Sequence, residues 1–322
     1  MTFSSSPAKA GALSEGILVS TLTPFDDAGA VLFQPITDQA KRLAQIDGVL
    51  GIAINTTERE RLTLSSDERV EIIRRTRKGL SSGQLLLCCV GELSKAVTDD
   101  VLACQDAVAD AIITFPAKWE QGYENQPLEQ RLAVLADLTD QLPLPVIVAL
   151  GNGEKRRSAL RDEIIALAQY SEKVIGFDMG ADDNVLHYDQ DYYALKSIDR
   201  PLACLPSSEA ALFHNLNTGA DGVLSCLAFI APHEVSELYQ ATREHRFCDA
   251  QVIHNRLSPL IGLLAGHNQQ TREMIYREAA HYCGLLASTG ARGLTGPLSQ
   301  QLKTKIRKTL DNIGLKPVLE LP

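Results

Sequence analysis

The sequence predicts a (β/α)8 barrel with a C-terminal helical extension, and three observations lead to this fold class. Eight short apolar runs recur roughly 30 residues apart in the 322-residue chain, and such runs suit strands that are buried on both faces of a parallel sheet. Amphipathic segments with helical spacing lie between the runs. The first run continues into Thr23-Pro24-Phe25-Asp26-Asp27, without the GxGxxG turn expected of a doubly wound nucleotide-binding sheet.

Each apolar run is predicted to form one strand of the barrel. The predicted strands are Gly16–Leu22, Val49–Ile54, Leu85–Val90, Ala111–Phe115, Pro145–Leu150, Val174–Phe177, Pro201–Leu205 and Gly222–Leu227. Active sites of such barrels are built at the carboxyl ends of the strands. Polar residues that end or directly follow these runs are therefore the candidates for function.

Helices are predicted between and after the strands. Ser65 and Glu68 form a capping box that opens a helix running through Ile73. Glu129–Leu142 and Arg161–Tyr170 each have apolar residues with helical spacing. Four more helices are predicted beyond the last strand, at Glu234–His245, Asp249–Leu264, Gln270–Ala287 and Leu298–Ile313. We therefore expect a flexible N-terminus at residues 1–15, the barrel at 16–230 and a helical extension packed on it at 231–322.

Composition and charge exclude several classes of protein. The chain has 31 Lys and Arg against 40 Asp and Glu, a net charge of −9, which is wrong for a basic nucleic-acid binder. Its 45% hydrophobic and 22% charged residues are typical of a globular protein. No apolar run approaches the ~18 residues that span a membrane, and the first 14 residues lack the apolar core of a secretory signal. We expect a cytoplasmic protein that binds neither nucleic acid nor membrane.

The seven cysteines contain no CxxC pair and no zinc-site spacing. Four of them, Cys88, Cys89, Cys204 and Cys226, fall inside apolar runs. Disulfides are rare in reducing compartments, and a buried free thiol acts as a small hydrophobe. We therefore expect free cysteines that contribute to packing.

Several segments share the pattern of one known family. They are Gly16–Phe25, Gly51–Thr57, Leu64–Arg69, Pro143–Ile147, Val174–Phe177, Gly219–Ser225 and Pro297-Leu298. In these segments the chain resembles the dihydrodipicolinate synthase / N-acetylneuraminate lyase family of pyruvate-dependent class I aldolases, from about Gly16 to Leu315. The resemblance implies a homodimer or homotetramer that acts on a small 2-keto or sugar acid, and no cofactor is expected.

The expected catalytic positions depart from the family pattern. Where the family ends strand six with Gly-Ile-Lys, the Schiff-base lysine, this chain has Asp178. The family's strand-five tyrosine falls at about Ala149. The threonine pair of the family's Gly-Thr-Thr-Gly-Glu loop is retained as Thr56-Thr57, but both glycines are replaced, by Asn55 and Glu58. The pattern of the barrel resembles the family, whereas the residues that form and protonate the imine in the family are replaced.

These strand ends supply the candidate site residues. The candidate catalytic residues are Asp178 and Lys118, and the candidate substrate-binding residues are Asn55, Thr56, Thr57, Glu92, Trp119, Asn152, Ser207 and Ser225. The resemblance implies that Thr56 and Thr57 bind a substrate carboxylate; the alternative is an ordinary turn capped by hydroxyls.

Three roles remain open for the charged candidates. A carboxylate at position 178 cannot form an imine, but it can act as a general acid or base, or it can simply keep the barrel mouth rigid. Lys118 could supply the missing amine from another strand, or it could be a salt-bridged loop residue. Glu92, Asp178 and Asn152 could together hold a divalent cation, although their spacing selects no metal and we expect none.

Three functions are compatible with these residues. The favoured one is a lyase that carries out a dehydration, isomerisation or retro-aldol step with Asp178 in place of the imine. The second is a non-catalytic homologue that binds a sugar acid or assembles with an active paralogue, and the third is a Schiff-base aldolase that uses Lys118. Dihydrodipicolinate synthase activity itself is not expected.

Overall fold

A computed structural model describes residues 10–92, 97–115, 127–150, 165–180, 184–294 and 296–315. Its centre is a sheet of eight strands that run parallel to one another. The strands are β1 Ile17–Ser20, β2 Val49–Ile54, β3 Leu85–Glu92, β4 Ala111–Phe115, β5 Val146–Ala149, β6 Val174–Asp178, β7 Ala203–Leu205 and β8 Val223–Ser225. The order of the strands in the sheet is β7-β6-β5-β4-β3-β2-β1-β8.

The two edge strands of this order meet, so the sheet is a nearly closed barrel. The Asp221 N–H donates to the Cys204 carbonyl at 3.2 Å, and the Leu224 N–H donates to the Pro206 carbonyl at 3.1 Å. Closure removes the free edges that an open sheet would leave. The (β/α)8 barrel predicted from the spacing of the apolar runs is confirmed.

Helices alternate with the strands and continue beyond the barrel. They are α1 Phe33–Ala44, α2 Glu58–Thr63, α3 Ser66–Gly79, α4 Val97–Asp106, α5 Leu128–Asp140, α6 Val185–Lys196, α7 Leu212–Thr218, α8 Leu227–Ile230, α9 Pro232–Arg243, α10 Phe247–Leu264, α11 Gln269–Tyr282 and α12 Gln300–Asn312. The predicted helix over 161–170 lies partly outside the described residues, and its residues 165–170 are helical. None of the helices in the described ranges has the length and apolar character needed to cross a membrane.

Local capping residues explain where several helices begin and end. The predicted capping box is confirmed, because the Ser65 hydroxyl accepts from the Glu68 N–H and the Glu68 carboxylate accepts from the Ser65 N–H. The predicted helix at Gln270–Ala287 ends earlier, at Tyr282. Gly284, at φ +76°, follows the end of the helix there, and glycine readily adopts this left-handed conformation.

The apolar interior has two layers that follow the alternation of side chains along the strands. Leu18, Leu87, Ile147 and similar side chains fill the inside of the barrel, while the neighbouring residues of each strand pack outwards against the helices. Ala10 and Leu13, within the expected flexible N-terminus, are buried in the inner cluster.

The cysteines are free, as the sequence predicts. All seven cysteines are free thiols, and five of them are buried: Cys88, Cys89, Cys104, Cys204 and Cys283.

Candidate active site

A cavity of about 1140 Å³ lies at the carboxyl ends of the barrel strands. Every strand contributes a lining residue at or just after its end: Ser20, Thr56, Glu92, Phe115, Leu150, Asp178, Ser207 and Cys226. The C-terminal helices form another part of the wall through Ile261, Leu264, Arg272, Glu273 and Tyr276. This is the end of a (β/α)8 barrel at which active sites are found, and the helical extension takes part in shaping it.

Asp178 is the last residue of β6, and its side chain lines the cavity. Its Oδ1 accepts a hydrogen bond from the Ser207 hydroxyl at 2.6 Å and another from the Gly180 N–H at 3.0 Å. Both donors stabilise the charged form of the carboxylate and fix its orientation. Ser207, a predicted site residue, thus lies in the cavity and contacts Asp178 directly.

The predicted threonine pair also lines the cavity. The Thr56 hydroxyl hydrogen-bonds to the Ser20 hydroxyl on β1. The Thr57 hydroxyl accepts from the Glu60 N–H at 3.2 Å and so caps α2. Thr57 therefore performs the turn-capping role of the alternative interpretation, and its hydroxyl proton is left for another acceptor.

Asn55 takes a different place from its neighbours. It is 1% exposed, lies at φ +57° and does not line the cavity. Its Nδ2 donates to the Cys88 sulfur at 3.7 Å. Asparagine tolerates this left-handed conformation better than most residues, so the structure gives Asn55 a backbone role at the end of β2.

Ser225 contributes indirectly, through a glutamate that the sequence analysis missed. Glu209 follows β7, lines the cavity and accepts hydrogen bonds from the Ser225 hydroxyl at 3.1 Å and the Leu227 N–H at 2.9 Å. Tyr276, on α11, donates a further hydrogen bond to it at 3.3 Å. Burial raises the pKa of Glu209 to about 7, although these donors work in the opposite direction. Glu209 can therefore hold or release a proton near neutral pH.

Arg61, on α2, is a second residue that the sequence analysis missed. It is partly buried and lines the cavity. Its Nη1 donates to the Thr56 carbonyl at 3.1 Å and to the Cys89 sulfur at 3.6 Å, and the guanidinium lies 4.4 Å from the centre of the Phe115 ring. Contacts from β3, from β4 and from the loop after β2 thus hold its position.

A buried ion pair joins the helical extension to this end of the barrel. Arg277 of α11 is fully buried and lies 3.4 Å from Glu60 Oε1 and 3.2 Å from Glu273 Oε1. It also donates to the carbonyls of Thr23 and Gly290 at 3.0 and 3.1 Å. The Thr23 N–H donates to Glu60 Oε1 at 2.7 Å, so one cluster connects the loop after β1, α2 and α11.

Of the remaining predicted site residues, one lines the cavity and three belong to the part of the chain that the structure does not describe. Glu92 ends β3 and lines the cavity. Lys118, Trp119 and Asn152 lie outside the described residues. Within the described ranges, no group of three or more His, Cys, Asp or Glu side chains could hold a metal ion.

Two of the cysteines that line the cavity, Cys89 and Cys226, do not have the character of nucleophiles. Burial raises the pKa of both Cys89 and Cys226 to about 12, and the thiolate is the reactive form of cysteine. These side chains remain thiols at neutral pH and act as apolar or weakly polar surface.

Comparison with known proteins agrees with this geometry. The model of the dihydrodipicolinate synthetase family matches residues 13–313 of the chain. The chain belongs to this family. The family assignment covers the whole barrel and nearly all of the helical extension, which confirms the resemblance found in the strand-end motifs.

Three members of the dihydrodipicolinate synthetase family illustrate the similarity at the level of single proteins. The chain is 25% identical over 307 residues to 4-hydroxy-tetrahydrodipicolinate synthase of Chlorobium phaeobacteroides, covering 93% of this chain and 97% of that protein. The dihydrodipicolinate synthase structure from Thermotoga maritima superposes with a TM-score of 0.81 at 19% identity, over 94% of this chain and 99% of that one. The pyruvate complex of the Acinetobacter baumannii enzyme gives a TM-score of 0.78 at 22% identity, over 94% and 99%. These likenesses establish the fold.

Sequence signals for the missed residues differ in strength. Glu209 follows the seventh apolar run by four positions, so the strand-end rule could have included it. Arg61 lies inside a short helix, and Tyr276 lies 51 positions beyond the last residue of β8. Nothing in the spacing of the apolar runs connects either of them with the cavity.

Proposed function

We propose that this protein is a lyase that acts on a small 2-keto or sugar acid by acid–base chemistry, without a lysine imine. The observation that supports it is Asp178, a carboxylate held by Ser207 and Gly180 at the strand-six end of the cavity. The cations that line the described part of this cavity are Arg61, Arg69 and Arg272, and an arginine cannot act as the imine-forming amine. Dihydrodipicolinate synthesis is not the proposed reaction.

Two of the carboxyls that line the cavity, those of Asp178 and Glu209, suit different halves of a dehydration. Asp178, as the base, takes the C2 proton of a 2,3-dihydroxy acid, from the carbon that carries both the carboxylate and a hydroxyl, while the hydroxyl on C3 departs. Glu209, whose pKa is raised to about 7, gives its proton to the departing hydroxyl, which leaves as water. The product is an enol that becomes the 2-keto acid by taking a proton at carbon. A pair of titratable groups in unlike surroundings is a common arrangement for such acid–base work.

The proposal includes the location, the oligomeric state and the binding partner of the protein. We expect a cytoplasmic homodimer or homotetramer whose partner is the small acid, with no cofactor, nucleic acid or membrane involved. These expectations come from the family resemblance and from the composition of the chain.

The experiment that tests the function combines turnover with trapping of an imine. Purified protein is incubated with a panel of 2-keto and sugar acids, and turnover is followed by proton NMR. Parallel samples receive borohydride and are examined by intact-mass spectrometry. We expect turnover of at least one acid, no borohydride adduct, and a loss of about 100-fold or more in kcat in Asp178→Asn. Asp100→Asn, the same exchange elsewhere on the cavity wall, serves as the matched control.

Three results would contradict the proposal in different ways. An adduct that maps to Lys118 and disappears in Lys118→Gln would establish a Schiff-base aldolase. Undiminished turnover in Asp178→Asn would remove Asp178 from the chemistry. Binding of an acid with no turnover of any panel member would instead favour the non-catalytic homologue.

A further inference from the structure

The Arg61 side chain is held firmly through one part of its guanidinium only. Both of its hydrogen bonds, to the Thr56 carbonyl and to the Cys89 sulfur, come from Nη1. The Phe115 ring supports the guanidinium at 4.4 Å. Among the described residues, Arg61 forms no ion pair with a carboxylate, and its Nε and Nη2 form no hydrogen bond. The edge formed by Nε and Nη2 is therefore unused.

The two other arginines that line the cavity differ from Arg61. Arg69 pairs with Asp100 at 2.7 Å and also donates to the carbonyls of Arg61 and Leu64. Arg272 donates through Nε to the His267 carbonyl at 2.9 Å. Arg69 has a carboxylate partner and Arg272 already uses its Nε, whereas neither Nε nor Nη2 of Arg61 has a hydrogen-bond partner among the described residues.

The helix that carries Arg61 is itself fixed by neighbouring contacts. Thr57 caps its first turn, and Glu60 is anchored by the Thr23 N–H at 2.7 Å and by Arg277 at 3.4 Å. A cation held in place before a ligand arrives loses little conformational entropy on binding. Arg61 is therefore preorganised, although α2 is only six residues long.

We propose that Arg61 binds the carboxylate of the small-acid substrate through its Nε and Nη2 edge. A planar guanidinium matches a carboxylate with two parallel N–H···O bonds. Arg61 contacts the Thr56 backbone directly, so this carboxylate site adjoins the threonine pair. The inference rests on the proposed function for the class of substrate, and it adds the residue that recognises the charged end of that substrate.

The test measures binding and does not depend on turnover. Pyruvate, methyl pyruvate and inorganic phosphate are titrated against the wild-type protein, Arg61→Gln, Arg61→Lys and Arg272→Gln by ligand-observed NMR. Arg272→Gln removes the same charge from the same cavity and is the matched control. Thermal unfolding followed by circular dichroism shows that each variant is folded.

We expect the wild-type protein to bind pyruvate and to bind its neutral methyl ester about tenfold more weakly or worse. Arg61→Gln should weaken pyruvate binding about tenfold or more, and Arg61→Lys should fall between, since lysine lacks the bidentate fork. Arg272→Gln should stay within about twofold of the wild type, as expected for a change that affects only the long-range field.

The inference is overturned if folded Arg61→Gln binds pyruvate as tightly as the wild type, if the ester binds as well as the acid, or if the wild type binds no pyruvate. Tighter binding of phosphate than of pyruvate, lost in Arg61→Gln, would assign the site to phosphate and overturn the carboxylate. Failure of the lyase proposal is separable from these outcomes. In that case neither the wild type nor any variant turns over an acid, but Asp178→Asn still binds pyruvate, and this binding still depends on Arg61.

Discussion

Two glutamates at the same end of the barrel, Glu60 and Glu209, have opposite electrostatic surroundings. Glu60 is 1% exposed and is paired with the buried Arg277. Glu209 is surrounded by neutral donors: the Ser225 hydroxyl, the Leu227 N–H and the Tyr276 hydroxyl. Burial raises the pKa of both carboxyls, but at Glu60 the charge of Arg277 opposes this effect.

The contrast shows what decides whether a buried carboxyl is structural or chemically useful. A counter-ion opposes the effect of burial on the pKa and joins elements of the fold, as the pair of Glu60 and Arg277 joins α2 to α11. Without a counter-ion, desolvation leaves a group that exchanges its proton near neutral pH. Glu209 is such a group and faces the cavity, whereas Glu60 does not line it.

The largest effect is expected from removing the counter-ion in the Glu60 region. Arg277→Met leaves Glu60 buried without its cation and leaves Glu273 with only Arg59, at 3.4 Å. The loss of one partner from a buried ion pair costs about 3–5 kcal/mol of unfolding free energy. Urea denaturation monitored by circular dichroism measures it. Arg307→Met, which removes the partly exposed partner of Glu278, should cost about 1 kcal/mol or less. Equal losses in the two variants would contradict the structural role of the buried pair.

A smaller, pH-dependent effect is expected from neutralising Glu209. The folded protein holds this proton up to pH about 7, whereas the ordinary glutamate pKa is 4.5. The contribution to stability is therefore complete below pH 4.5 and is lost as the pH rises through 7. Glu209→Gln has no proton to lose at this position. Between pH 5 and pH 8 the unfolding free energy of the wild type should therefore fall by about 2 kcal/mol more than that of Glu209→Gln.

Urea denaturation at the two pH values measures the difference. The same exchange at the exposed Glu237 is the control for a general change in charge. If Glu209→Gln and the wild type showed parallel pH dependence, Glu209 would not be holding a proton near neutral pH, and the contrast with Glu60 would disappear.

The smallest effect is expected at a third glutamate, Glu68, whose side chain is 22% exposed and whose counter-ion is Arg292. The Arg292 guanidinium, hydrogen-bonded to Glu68, lowers the pKa of that carboxyl to about 2. Its contribution to stability is present above pH 4.5 and is lost as the pH falls towards 2. Because solvent screens this pair, Glu68→Gln should cost only about 1 kcal/mol at pH 7. The cost should shrink in urea titrations at lower pH or in high salt; a cost that does not change with pH or salt would point to the capping box instead of the ion pair.

Much of the fold could be predicted because strand formation depends on local pattern. The apolar runs at Val49–Ile54 and Ala111–Phe115 coincide with β2 and β4 residue for residue. The Ser65 and Glu68 capping box is equally local, since its two hydrogen bonds join residues three apart. At the end of α11, where the predicted helix is longer than the observed one, a single glycine in a left-handed conformation accounts for the difference.

The candidate site could be predicted only where strand ends determine it. Asp178, Thr56, Thr57, Glu92 and Ser207 line the cavity, as the strand-end rule led us to expect. The rule placed Asn55 and Ser225 there as well. Asn55 instead turns into the protein, and Ser225 acts through Glu209, because the direction of a side chain at a strand end depends on the local backbone and on its partners.

The sequence by itself determined the barrel, the order of its elements and the end at which a site would form, because apolar periodicity and caps act between near neighbours. The tertiary structure alone decided which charges meet. Arg277 reaches Glu60 across 217 positions and Tyr276 reaches Glu209 across 67, and Arg61 rests on Phe115 from another strand end. Burial and the presence or absence of a counter-ion are properties of that three-dimensional packing, and they distinguish the glutamate that holds the fold together from the one available for chemistry.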